Sequence, residues 1–211
     1  YSPYKAMNIA EFWRRWHITL SRFLRDYVYI ALGGNRKGSI SRHSNLMVTM
    51  LLGGLWHWAG WNCVIWGGLH GLYLSICHFY QEAKKKFFPS RDTESSISQF
   101  FAWLLTFIVV VISWVFFRAT SFESAIAMLE GMAGLNGIEL PNAIVSRLGN
   151  LSHYLEWLGI EVGYGSGSFF IEVWTWNLIL LFAVLVLPNT MDMFENVNVA
   201  LVEQKNNNSD A

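Results

Sequence analysis

Apolar positions along this chain recur with helical rather than strand-like spacing. From Glu11 to Tyr29, at about 100° per residue, Trp13, Trp16, Leu20, Leu24 and Tyr27 fall on one face. Arg14, Arg15, Arg22 and Arg25 fall on the other side, and His17 sits within the aromatic face. The pattern predicts one amphipathic helix over 9–30, with Asn8 or a neighbour as its cap. Such a helix suits a membrane boundary, or a protein core with its arginines turned towards headgroups or phosphates. LGGNRKGSISRHSN follows as a polar, basic loop.

Leu46 to Tyr80 contains no formal charge over 35 residues. One span needs roughly 20 apolar residues, so this block is too long for a single crossing. Gly53, Gly54, Gly60, Gly67, Gly68 and Gly71 interrupt it. The reading is two helices, about 45–58 and 62–80, with a break near Ala59–Gly60. The glycines would let the two pack closely. QEAKKKFFPSRD then forms a basic amphipathic connection. A clear apolar span occupies 99–117 and is closed by Arg118. A short amphipathic helix is expected over 121–134, a polar glycine-rich extramembrane region over 135–170, and a last span over 169–188. The tail 203–211 is expected to be disordered. The fold class is an all-α polytopic membrane protein, with 1–211 as part of one domain.

Composition agrees. Only 14% of residues are charged and 53% are hydrophobic, whereas a soluble domain carries about 25% charge. The chain begins YSPYKA, without a signal or transit pattern, and is expected to be an internal or C-terminal piece of something longer. Residues 1–43 hold eight Lys/Arg against Glu11 and Asp26, while 119–211 hold Arg147 and Lys205 against ten acidic residues. If 45–80 crosses twice, the basic connections 30–44 and 81–96 share one side, the cytoplasmic one, and the acidic region lies outside. The arginines alternate with membrane-grade apolar residues, so membrane lipids rather than nucleic acid are the expected contact. Cys63 and Cys77 lie in apolar sequence without metal-type spacing and are expected as free thiols.

The candidate chemistry lies in polar groups within apolar sequence. His57 sits in GGLWHWAGW and His70 in WGGLHGLYL. An ionisable group inside a membrane is a functional candidate by default; the plainer alternative is a neutral histidine bonding between helices. On one unbroken helix the two would stand about 220° and about 20 Å apart, so they converge only if the helix breaks between them. Nucleophile elbow, Walker loop, dinucleotide fingerprint and HExxH are all missing from the sequence. A buried histidine suits the role of general base for a hydroxyl. Asn62, Asn45 and tryptophan N–H groups could orient a substrate or stabilise an oxyanion, and Arg14, Arg15, Arg22 and Arg25 of the opening helix, with Arg36 and Arg42 of the loop, could hold a phosphorylated donor such as coenzyme A or lipid phosphates.

At EFWRRWHITLSRFLRDYVYIALGGNRKG the chain resembles the membrane-bound O-acyltransferase family, in its bacterial alginate O-acetylase-like branch. The likeness continues through NLMVTMLLGGLWHWAGWNCVIWGGLHGLYL and SWVFFRATSFESAIAML. It covers most of 1–135 and is most specific over 8–80. It implies part of a helical bundle around a transmembrane tunnel, corresponding to the C-terminal half of a family member. The family's essential histidine maps to His57, with His17 as its companion 40 residues earlier. His70, in LHG, is a secondary site of the same branch. Trp58 stands where the branch commonly has glycine, and its indole is expected to narrow the acceptor path.

The resemblance implies an O-acyltransferase of the bacterial inner membrane with no bound cofactor. Acetyl-CoA or another acyl thioester would be its donor substrate and an envelope or exported polysaccharide its acceptor. A periplasmic esterase-like transferase would be its partner. His57 would deprotonate the acceptor hydroxyl, and His17 would orient the acceptor or polarise the carbonyl. D-alanyl or other acyl transfer, a proton-relaying transporter and a non-enzymatic scaffold stay open as readings of the same residues.

Overall fold

A computed structural model describes residues 2–58, 60–87, 95–141, 154, 157, 159–163 and 167–188. The chain divides into two compact units, Lys5–Asn136 and a second made of Tyr1–Tyr4 with Gly137–Ala211. The first holds α1 (Ile9–Arg15), α2 (Ile18–Phe23), a π-helical turn (Leu24–Tyr29), α3 (Ser39–His57), α4 (Trp61–Phe87), α5 (Ser96–Arg118) and α6 (Phe122–Met132). The second holds β1 (Ile138–Pro141), β2 (Ile160–Gly163) and α7 (Gly167–Val186).

The expected single helix over 9–30 is broken into three pieces. Asn8 caps α1, its Oδ1 accepting from the Glu11 N–H at 2.9 Å, while Glu11 accepts from the Met7 N–H. α1 stops because Trp16 is extended and His17 adopts a left-handed conformation, with φ 39°. A non-glycine residue rarely adopts that conformation, though histidine is among the better tolerated. Two local bonds support it. The His17 imidazole caps α2 by accepting from the Leu20 N–H at 3.3 Å, and Ser21 Oγ donates to the Trp16 carbonyl. The turn rotates the two halves, so Trp13, Leu20 and Leu24 stay buried while Tyr27 is 72% exposed. His17 is thus an exposed helix cap rather than a member of an aromatic face.

α3 begins at Ser39, earlier than sequence suggests, and ends at His57; α4 begins at Trp61 and runs on to Phe87. Gly33 and Gly34, both at positive φ, turn the chain ahead of α3, and Asn45 Nδ2 bonds the Gly34 carbonyl at 3.0 Å. The two long helices meet backbone to backbone. A Cβ on Gly54 would stand 2.2 Å from the Cys63 carbonyl oxygen, and one on Gly67 2.4 Å from that of Met50. A Cβ on Gly71 would stand 2.9 Å from the Met47 sulfur and 3.2 Å from its Cα. Small residues at these places let helices approach without a hydrophobic drive between them. Both cysteines are free thiols.

α5 is apolar throughout, and its Thr106 and Ser113 hydroxyls return to carbonyls four residues back, at 2.8 Å each. That local bonding removes the cost of polar groups in an apolar helix. Ser121 and Ser124 cap each other's backbone N–H groups at the start of α6. Phe12, Trp13, Met50, Trp66, Val110 and Phe116 form the centre of one core shared by α1, α3, α4 and α5. Among the described residues, Ser96–Arg118 is the one helix long and apolar enough to cross a membrane, and Glu172–Val186 is a shorter apolar stretch. α3 and α4, expected as spans, fall short of that hydropathy because glycine and polar residues dilute them.

In the second unit β1 pairs with β2 in parallel, Ile138 opposite Ile160 and Pro141 opposite Gly163. This short ladder departs from an all-helical expectation. It falls in the region expected outside the membrane. α7 covers nearly all of the expected last span, and the tail 203–211 lies outside the described residues.

The seam sets a stability expectation. Gly54→Ala and Gly67→Ala each force a backbone contact apart, at a cost of about 1–3 kcal/mol. Gly68→Ala, whose Cβ would lie 3.6 Å from Leu51 Cδ2, is expected to be neutral or slightly stabilising. Thermal unfolding of the purified protein in detergent checks the ranking; equal midpoints for all three variants would contradict it.

Candidate functional site

His57 is the last residue of α3, and the extended backbone of Trp58 turns the chain away immediately after it. The imidazole therefore stands at a helix end, in the wall of a cavity of about 800 Å³. Asn62, Phe117, Arg118, Thr120 and Ser121 line the same space, with Trp58 and Trp61 at its edge. Aromatic rings hold the imidazole. Trp66 and Phe117 meet it edge to face at centroid separations of 5.4 and 5.3 Å, and Trp56 at 5.1 Å. The nitrogen atoms are left for other partners.

The other predicted residues are sorted by the fold. His17 comes within electrostatic reach of His57 but does not line that cavity. Its Nδ1 is taken by the Leu20 N–H and the Thr19 hydroxyl. Asn62 lines the cavity, yet its Nδ2 donates to the Ala119 carbonyl at 2.9 Å. It thereby ties the start of α4 to the end of α5. Trp58 is 74% exposed at the rim. His70 lines neither cavity and is wholly buried, with Nδ1 accepting from Trp13 Nε1–H at 3.2 Å.

Arg14 and Arg25 border a second cavity of about 390 Å³, together with Arg42, His78, Tyr29 and Asn35. Arg15 instead pairs with Glu11, and Arg22 borders neither space. Arg25 Nε donates to the Asp26 carboxylate at 2.7 Å, which holds the guanidinium above its ordinary pKa. Arg42 bonds Glu82 at 2.5 Å across to α4. That hydrogen bond holds the Glu82 carboxyl below the usual carboxylate range. The space is thus rimmed by three guanidinium groups, two of them partly balanced by carboxylates.

Sequence reading missed Arg118, Thr120 and Ser121 around His57, and Tyr29 and His78 around the basic cavity, whereas Arg42 was among the loop arginines expected to meet a phosphorylated donor. Arg118 was read as the close of a span, and Ser121 only as the first residue of a short helix, which it caps. His78 had a signal, as a third histidine in the same charge-free block.

The family model for membrane-bound O-acyltransferases matches residues 1–121, and the chain belongs to that family of membrane proteins. It is 52% identical over 139 residues to a peptidoglycan O-acetyltransferase of Helicobacter pylori, covering 66% of this chain and 25% of the relative. It is 47% identical over 130 residues to a probable alginate O-acetylase of Pseudomonas putida, covering 62% of this chain and 25% of the relative. A teichoic acid D-alanyltransferase of Bacillus subtilis is 28% identical over 93 residues, covering 40% of this chain and 23% of the relative. The chain spans about a quarter of the length of the curated relatives it matches.

The Arg42–Glu82 pair carries a pH expectation. A carboxyl whose pKa is lowered on folding stabilises the fold above its ordinary value, and that gain fades as pH falls through the lowered one. Melting midpoints between about pH 3 and pH 7 should therefore converge for Glu82→Gln and the unsubstituted protein at the acid end and separate near neutrality. A constant difference across that range would contradict the assignment.

Proposed function

We propose that this chain forms the catalytic part of an acyltransferase that moves an acetyl group from a thioester onto a hydroxyl of an envelope or exported polysaccharide. The observation that carries the reading is the placement of His57. An imidazole at a helix end faces a roomy cavity, with His17 in electrostatic reach and an arginine-rimmed space in the same unit.

The chemistry follows from those groups. His57 takes the proton of the acceptor hydroxyl as its oxygen attacks the thioester carbonyl. The tetrahedral intermediate collapses, the C–S bond breaks, and the imidazolium returns its proton to the leaving thiolate. His17 Nε2 orients the acceptor or polarises the carbonyl. Arg14 and Arg25, with Arg42, hold the phosphates of acetyl-CoA; planar guanidinium groups suit phosphate oxygens well. Trp58 narrows the acceptor path at the cavity rim.

The acetyl assignment rests on relatives named as O-acetyltransferases at the higher identities. The relative named as a teichoic acid D-alanyltransferase stands at lower identity. We place the chain in a multi-pass helical bundle of the bacterial inner membrane, around a tunnel with the basic connections on the cytoplasmic side. A periplasmic esterase-like transferase would complete delivery to the polysaccharide.

His57→Ala is expected to abolish transfer from radiolabelled acetyl-CoA in membranes while the protein still accumulates. Undiminished transfer by that variant would sink the reading. Arg14→Ala combined with Arg25→Ala is expected to raise KM for acetyl-CoA about tenfold, equivalent to about 1.4 kcal/mol of binding, with kcat retained. An unchanged KM would move the donor elsewhere.

A further inference from the structure

The His57 ring is oriented without a carboxylate or carbonyl acceptor among the described residues; aromatic edges do that work. Trp66 is therefore one of the rings that hold the His57 imidazole. Trp66 is itself 3% exposed, and His70 packs on it at a centroid separation of 4.9 Å. Trp13 meets Trp66 at 5.8 Å and His70 at 5.2 Å, so the three rings form one mutually packed group.

The chemistry of His70 is decided by its neighbour. An indole nitrogen donates and never accepts. The Trp13 Nε1–H bond therefore requires an unprotonated Nδ1, and the neutral ring carries its proton on Nε2. Nε2 is buried and meets no acceptor among the described side chains and backbone. Both nitrogens are thus closed to proton abstraction from a substrate. Phe12 stacks on the same ring, and Tyr73 meets it edge on.

We propose that His70 is a positioning residue for His57, acting through Trp66. Its bond to Trp13 pins α1 to α4 and fixes the face of Trp66 against which the His57 imidazole rests. This rests on the reading of His57 as the base and assigns His70 a role that is neither a second base nor a general packing residue.

The test compares kcat, KM and the pH–rate profile for transfer from radiolabelled acetyl-CoA in membranes holding the intact protein. His70→Leu removes the acceptor for Trp13 and is expected to lower kcat about 100-fold, the scale of a small misplacement of a reacting group, with KM little changed. His70→Asn puts an acceptor oxygen where Nδ1 stood and is expected to restore most of that loss, with the profile of the unsubstituted protein. In a Trp66→Phe background the His70→Leu effect should shrink, because the two act in series.

Undiminished kcat in His70→Leu would overturn the proposal. So would a His70→Asn variant that accumulates but is as inactive as His57→Ala, which would make His70 a proton carrier. Should His70→Leu fail to accumulate, His70→Asn decides alone: activity supports positioning, inactivity refutes it. Full activity of His57→Ala is a separate outcome that removes the base assignment itself.

Discussion

Everything in the helical unit depends on how closely α3 and α4 approach. Their backbones touch at Gly54 and Gly67, where even a methyl group would overlap a carbonyl oxygen. Glycine at these positions lets the two backbones meet, so the contact is one of shape. The seam fixes where α3 can end relative to α4. It thereby sets His57, the terminal residue of α3, against Trp66, one and a half turns into α4. A single straight helix would have thrown His57 and His70 to opposite sides. The break between His57 and Trp61 folds the block back on itself, so both histidines meet one tryptophan, Trp66.

The breaks that bear the candidate site residues are also the irregular parts of the backbone. His17 holds a left-handed turn between α1 and α2, and a π-helical turn follows at Leu24–Tyr29. Strained or irregular backbone costs on the order of 1–3 kcal/mol and persists where surrounding contacts over-determine it. Here the Leu20 N–H, the Ser21 hydroxyl and the buried Trp13 supply those contacts. The same kink lets Trp13 turn inward to His70 while Arg14 and Arg25 face the basic cavity.

Much of this was legible beforehand. Charge-free length demanded two helices, glycine spacing announced close packing, and Gly60 marked the turn. The arginines of 9–30 could be named but not separated, because periodicity assumes one continuous helix and the His17 turn resets its phase. Only the fold distinguishes Arg14 and Arg25 from Arg15, which is held by Glu11 in its own helix. Arg118 and Ser121 were hidden for another reason. Each already had an adequate local role at an element end, and their approach to His57 depends on α5 packing beside α4. The parallel pairing of Ile138 with Ile160 was equally out of reach, since neither four-residue strand has a period long enough to read.

The central claim is that the solvent-reachable imidazole of His57, and not the sealed one of His70, governs acyl transfer. Chemical modification of histidine by diethyl pyrocarbonate, mapped by mass spectrometry alongside acetyl transfer from acetyl-CoA, addresses it directly. The expected result is that activity falls in step with modification of His57, slowed by acetyl-CoA, while His70 stays unmodified until the protein unfolds. Loss of activity that follows modification of His70 with His57 intact would contradict the account.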